Sequence, residues 1–214
     1  NDLRIASAKW ARLSESEARL SAMLASAESE PGIPVLPDAL DRDPWLLNTH
    51  NGTFPLREGD ALQPHDRADM LTKLAGCAYD PHAKAPLWLA FLDRVFAGNQ
   101  ETISFVQRAA GYSLTGDTSE RCLFILHGSG RNGKTTFIET FAGVLGEYAK
   151  RIPTETFFAK RDGAIPNDLA MLRGIRFAFA AEGPEGKRLA ESLIKDVTGG
   201  DTIALVLTGA LGVV

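Results

Sequence analysis

Cys122-Leu123-Phe124-Ile125-Leu126-His127-Gly128-Ser129-Gly130-Arg131-Asn132-Gly133-Lys134-Thr135-Thr136 is the stretch that decides how this chain is read. Its first five residues are an uninterrupted apolar run, the mark of a strand buried on both faces. After His127, the eight residues 128–135 fit G-x-x-x-x-G-K-[ST] at every fixed position. Glycines allow successive backbone N–H groups to turn inward around phosphate oxygens. Lys134 supplies a compact positive charge for the β- and γ-phosphates, and the Thr135 hydroxyl a ligand for Mg²⁺. A helix expected from Lys134 to about Leu145 adds the positive end of its dipole. Apolar strand before, helix after: this is the context in which the motif carries meaning. The predicted nucleotide contacts are Gly128, Ser129, Gly130, Arg131, Asn132, Gly133, Lys134, Thr135 and Thr136, with ATP and Mg²⁺ as the cofactors.

Downstream, Arg176-Phe-Ala-Phe-Ala-Ala181 reads as a second buried strand, ending directly in Glu182. An NTPase needs a carboxylate at such a strand end, to hold Mg²⁺ through water or to activate the attacking water. Glu182 is therefore the predicted acidic partner of Lys134 and Thr135, with Glu185 the second candidate. A helix is predicted from Lys187 to about Val197. Strand, loop, helix and a further buried strand predict an α/β fold with a parallel sheet, a P-loop NTPase core over residues 117–214.

Residues 1–116 have a different texture and are predicted to be a mainly helical region with a small β-hairpin. Leu13, Leu20, Met23 and Leu24 fall at helical spacing in an alanine-rich stretch, predicting one helix over 3–29, stopped by Pro31 and Pro34. Trp45 to Phe54 predicts a hairpin with a tight Asn51-Gly52 turn. Residues 85–109 predict two helices, broken at Gly98-Asn99. Trp10, Trp45 and Trp88 are expected in the core rather than as platforms for stacked bases.

The bulk numbers exclude little. At 44% hydrophobic and 23% charged the chain has the composition of a globular protein with a real core. No run of 18 apolar residues is present, so no membrane span is predicted. Residues 1–117 carry 11 Lys/Arg against 16 Asp/Glu, net −5, and residues 118–214 carry 12 against 11, net +1. That acidic balance argues against broad nucleic-acid binding but leaves room for local basic sites. Cys77 and Cys122 are expected to be buried reduced thiols, and the four histidines show no metal-ligand spacing. The chain begins at Asn1 without a signal-peptide pattern, which predicts an internal piece of a longer cytoplasmic protein.

Several segments, in order and spacing, resemble the superfamily 3 helicases, in particular the phage and plasmid primase–helicase branch and its poxvirus-type relatives. They are Asp43-Pro-Trp-Leu-Leu-Asn-Thr-His-Asn-Gly-Thr53, Gly111-Tyr-Ser-Leu-Thr-Gly-Asp117, the phosphate loop, Ile165-Pro-Asn-Asp168 and Thr198-Gly-Gly-Asp-Thr202. The resemblance implies an AAA+-like core in which Lys134 and Thr135 serve nucleotide and metal and Glu182 takes the Walker B position. It also implies a homo-hexamer moving along single-stranded DNA in a bacterial host cell, often with a primase domain N-terminal to this region. Lys195, ahead of Gly199-Gly200-Asp201, matches the start of a motif whose hairpin touches DNA; a solvated surface lysine is the alternative. After Ile203 the sequence departs from the family. Ala204-Leu-Val-Leu-Thr208 and the residues to Val214 replace an arginine-bearing hairpin, which predicts a truncated or frame-shifted chain of low hydrolytic activity. Two other functions share these features: a nucleotide or small-molecule kinase with the same loop, and a non-catalytic oligomerisation or DNA-loading module.

Overall fold

The computed structural model describes residues 2–57, 59, 61–128, 130–157, 172–181, 195 and 204–208. The chain divides after Leu40 into two compact units.

The first unit holds two helices, α1 (Asp2–Ser14) and α2 (Glu17–Ala27), where the spacing predicts one. The break has a local cause. Ser14 Oγ donates to the Trp10 carbonyl at 2.8 Å and Ser16 Oγ to the Leu13 carbonyl at 2.7 Å. Serine hydroxyls that bond back to the preceding turn compete with the helix ladder. Ser16 is extended, with φ −67° and ψ 140°. Neither helix buries a residue, and Trp10, expected in the core, is 68% exposed.

The second unit starts at Asp41. Strands β1 (Leu46–Thr49) and β2 (Gly52–Pro55) form the predicted antiparallel hairpin, pairing Leu46 with Pro55 and Thr49 with Gly52. The turn is one residue earlier than the Asn-Gly signal suggests: its central residues are His50 and Asn51. Thr49 Oγ1 donates to the Gly52 carbonyl at 2.7 Å, while Asn51 is drawn away by a reciprocal pair with Tyr79, both bonds 2.9 Å. Gly52 is needed for close approach instead. A Cβ there would lie 2.8 Å from Leu62 Cγ and overlap the Gln63 carbonyl.

Helices α3 (Pro86–Val95) and α4 (Gln100–Leu114) follow. Pro86 sits in the first turn of α3, where its missing N–H costs nothing. Asn99 caps α4, its side chain accepting from Thr102 N at 3.0 Å. Next come β3 (Leu123–Leu126), α5 (Lys134–Leu145), β4 (Ala149–Arg151), β5 (Phe177–Ala181) and β6 (Ala204–Thr208). Among the described residues the four strands make one sheet, parallel throughout, in the order β3-β6-β5-β4. The apolar stretch 204–208, which the family pattern leaves unexplained, thus lies between β3 and β5 as an interior strand. Among the described residues β3 pairs with β6 alone, and it is not buried on both faces as its composition suggests: Ile125 is 47% exposed.

The core draws on both parts of this unit. Leu47 of the hairpin and Ala75 pack with Ile138 and Leu145 of α5, with Tyr148, and with Phe177 of β5. Phe141 meets Phe177 edge to face, ring centres 4.9 Å apart. Trp88 of α3 stacks on Phe137 of α5 at 5.5 Å. The stretch 74–76 ties hairpin to helix: Ala75 N donates to the Asn48 carbonyl at 2.8 Å and Gly76 N to the Val144 carbonyl at 2.9 Å. The change of texture near Asp117 therefore falls inside one packed unit.

Arg176 is the charged residue at the centre of this packing, 5% exposed. It donates to the Leu46 carbonyl at 2.6 Å and the Leu114 carbonyl at 2.7 Å, and lies 4.5 Å over the Tyr148 ring. Burial pulls its pKa below the usual guanidinium value; Tyr148, Asp41 and Asp43 act in the opposite sense.

Removing the guanidinium while keeping bulk, as in Arg176→Met, strands two buried carbonyls. Unfolding in urea should show a loss of about 2–4 kcal/mol. An unchanged midpoint would mean that the arginine holds nothing together.

The cysteines give a second check. Both are free thiols, Cys77 exposed and Cys122 half-buried, neither buried as the sequence suggests. Burial raises the Cys122 pKa above its ordinary value, so less thiolate is present at neutral pH. Alkylation at pH 7.5 should label Cys77 first, with Cys122 catching up as pH rises above 9; equal rates at pH 7.5 would contradict this.

Candidate phosphate-binding site

The site is built where β3 hands over to α5. The strand ends at Leu126, and the chain turns through residues 127–133 before the helix begins at Lys134. Among its described residues, positive φ falls at Gly128 (+153°), Arg131 (+61°) and Gly133 (+86°), the last two in the left-handed helical region. Gly133 is the N-cap of α5, and no side chain caps the helix there. It has to be glycine for two reasons. Its φ is one that L side chains rarely adopt. A Cβ would also stand 2.9 Å from Val95 Cγ2 and 3.1 Å from Phe91 Cε2. The loop is thus pressed against α3, and Gly133 is the point of contact.

Lys134, half-buried, folds back over the loop from the first position of α5. Its Nζ donates to the Gly128 carbonyl at 2.9 Å and to Asn132 Oδ1 at 2.7 Å. The ammonium therefore bridges Gly128 and Asn132 across the loop. Thr135 and Thr136 are exposed on the first turn of the helix. The N–H groups of that turn face out of the helix end, and no acidic residue occupies it to satisfy the dipole from within. An amine-bearing and a hydroxyl-bearing residue thus stand side by side in the first turn at the positive end of α5, residue types suited to an anionic, metal-chelating group.

Of the residues predicted from sequence, Gly128, Gly130, Arg131, Asn132, Gly133, Lys134, Thr135 and Thr136 lie on this one turn. Arg131 is exposed, whereas Gly128 and Asn132 are half-buried. Ser129, Glu182 and Glu185 lie outside the described residues, as do 165–168 and 198–202. Glu182 is the residue after Ala181, the last of β5. Lys195 is helical and exposed. Sequence reasoning missed the bond from Lys134 to the Asn132 side chain, because the motif treats that position as free; an amide two residues before the lysine was the available signal.

Beside the loop, between α4 and the edge of β3, is a cavity of about 550 Å³. Phe105, Val106 and Phe124 give it apolar walls, and Asn132, Gly133 and Lys134 close it on the loop side. Among the described residues no helix is long and apolar enough to cross a membrane, and no group of three or more His, Cys, Asp or Glu is placed to hold a metal by itself.

Gly133→Ala should lower stability by about 1–3 kcal/mol through strain and contact with Val95 and Phe91. Thermal unfolding reads it, and a midpoint equal to that of the unmodified chain would contradict the described loop.

Comparison with known proteins bears on the first half of the chain as well as on the loop. Residues 1–97 match the family model described as D5 N terminal like. The chain is 25% identical over 168 residues to "Putative helicase L207/L206" of Acanthamoeba polyphaga mimivirus, covering 77% of this chain and 18% of the relative. It is 28% identical over 117 residues to "Putative helicase 022R" of Frog virus 3 (isolate Goorha), covering 53% and 12%. The chain spans less than a fifth of the length of either relative. Residues 1–97 are thus similar to the D5 N terminal like family, and most of the chain's length is similar to a viral protein whose description is "Putative helicase".

Proposed function

We propose that this chain is the nucleotide-binding part of a DNA helicase motor of the superfamily 3 type, with an AAA+-like P-loop NTPase core. The observation that carries the reading is the loop 128–135, with its lysine folded across it between a parallel strand and the helix it opens. The sheet supports it: β6 lies between the loop-bearing β3 and β5, the strand that runs into Glu182. The D5 N terminal like region and the helicase relatives favour a helicase over a small-molecule kinase, which would share the loop alone.

In this reading Lys134 holds the β- and γ-phosphates of ATP. The Thr135 hydroxyl, and the Glu182 carboxylate through water, would hold Mg²⁺, which when bound would supply charge neutralisation on the phosphates. The loop N–H groups surround the phosphate oxygens. Glu182 is also positioned in sequence to take a proton from the attacking water. The motor acts on single-stranded DNA as a homo-hexamer, Lys195 being a DNA contact.

Titration of the purified chain with Mg-ATP should give saturable binding in the micromolar to millimolar range, on the order of 4–8 kcal/mol. Lys134→Ala should weaken it at least about tenfold, as expected for loss of a charged hydrogen-bond donor. No binding at millimolar Mg-ATP, or equal binding by the alanine variant, would refute the nucleotide assignment.

A further inference from the structure

Among the described residues of the phosphate loop is a side-chain contact that the motif does not require, between Asn132 and Lys134. Asn132 sits between the two left-handed residues Arg131 and Gly133. Its Oδ1 accepts from Lys134 Nζ at 2.7 Å, the shorter of the two lysine bonds given above. The other end of the same amide, Nδ2, packs on Gly128 in the volume that a Cβ would fill, and Lys134 Nζ is 3.8 Å from that point. The amide is thus in contact with the first residue of the loop and with the residue that opens the helix.

We infer that Asn132 is a positioning residue for Lys134, an inference that rests on the nucleotide reading above. A lysine side chain has four rotatable bonds and loses considerable entropy when fixed. Here that loss is met before any ligand arrives, because the amide oxygen and the Gly128 carbonyl hold the ammonium over the loop. The amide oxygen is neutral. It accepts a hydrogen bond without cancelling the charge that phosphate needs, which a carboxylate at the same place would do. A phosphate oxygen can then replace Asn132 Oδ1 on an amine already aimed.

If Asn132 works through Lys134, its loss matters only while the lysine is present. The test is a double-mutant cycle on the full chain, with Mg-ATP binding measured for the unmodified protein, Asn132→Ala, Lys134→Ala and the double variant. Asn132→Ala alone should weaken binding about 5–20-fold, and in the Lys134→Ala background by less than about twofold. The same loss in both backgrounds would show that Asn132 only shapes the loop, and would overturn the inference. Asn132→Asp, isosteric and so able to keep the fold, should bind more weakly than Asn132→Ala because its carboxylate neutralises the ammonium and repels phosphate. Binding by Asn132→Asp equal to the unmodified chain would also overturn it. Absence of binding by the unmodified chain removes the nucleotide reading and this inference together, a result distinct from binding without coupling.

Discussion

A buried guanidinium joins parts of this chain that lie far apart in sequence. Arg176 opens strand β5, yet its hydrogen bonds reach Leu46 in the hairpin and Leu114 at the end of α4, and its face rests on Tyr148 after α5. Taking a cation out of water is expensive, and here two carbonyl dipoles and an aromatic face offset the cost. Such a group tolerates little displacement, because each partner it loses becomes a buried polar atom without one. The neighbouring polar groups repeat the pattern. The Tyr148 hydroxyl accepts from Asn48 N at 3.1 Å and donates to the Lys73 carbonyl at 3.2 Å, while Asn48 Nδ2 donates to that same carbonyl at 2.9 Å. Hairpin, connecting segment and sheet are held in one register by a few directional bonds within an apolar core.

That constraint explains why the second unit begins at Asp41 rather than near Asp117, where the composition changes. The D5 N terminal like match ends at residue 97 and the phosphate loop begins at 128, so in sequence the two signals are separate. In space the hairpin of the first signal packs on the helix of the second. Leu47 touches the cluster of Ile138 and Leu145, and the 74–76 stretch bonds to the last turn of α5. At about 1.5 Å per residue, α5 is a rod roughly 18 Å long with Lys134 at one end and this junction at the other. α3 presses on its beginning through Phe91, Val95 and Trp88.

What could be read from the sequence follows from which forces are local. The strand, loop and helix around 122–145 were legible because composition, glycine placement and motif spacing agree within twenty-five residues. The hairpin was legible too, but its turn was misplaced by one residue, since the contacts of Asn51 with Tyr79 and of Gly52 with Leu62 and Gln63 come from further along the chain. The break between α1 and α2 depended on serine side chains turning back onto carbonyls, which apolar periodicity does not register. The apolar residues of β3 suggest an interior strand; among the described residues it stands at the edge of the sheet order, which no local window contains. In sequence Arg176 marks the start of a strand and nothing more, because arginine is seldom buried and its partners are 130 and 62 residues away. Ala204–Thr208 departs from the family pattern, yet its apolar and β-branched run is what an interior strand needs.

The geometry of the loop sets a limit on how its charge is to be understood. A lysine at the start of a helix lies at the unfavourable end of the dipole, where cations are destabilising rather than stabilising. Surface lysines escape by extending into water. Lys134 does the opposite, folding back onto a carbonyl and an amide oxygen that supply the acceptors. The turn that allows this requires Arg131, a non-glycine residue, in the left-handed region, at some cost in backbone strain. A fold that needed only a connection between β3 and α5 would have cheaper solutions in charge and in conformation. Two unfavourable placements at one helix end are accounted for if an anion is to be held there, which is the physical ground of the proposed nucleotide site.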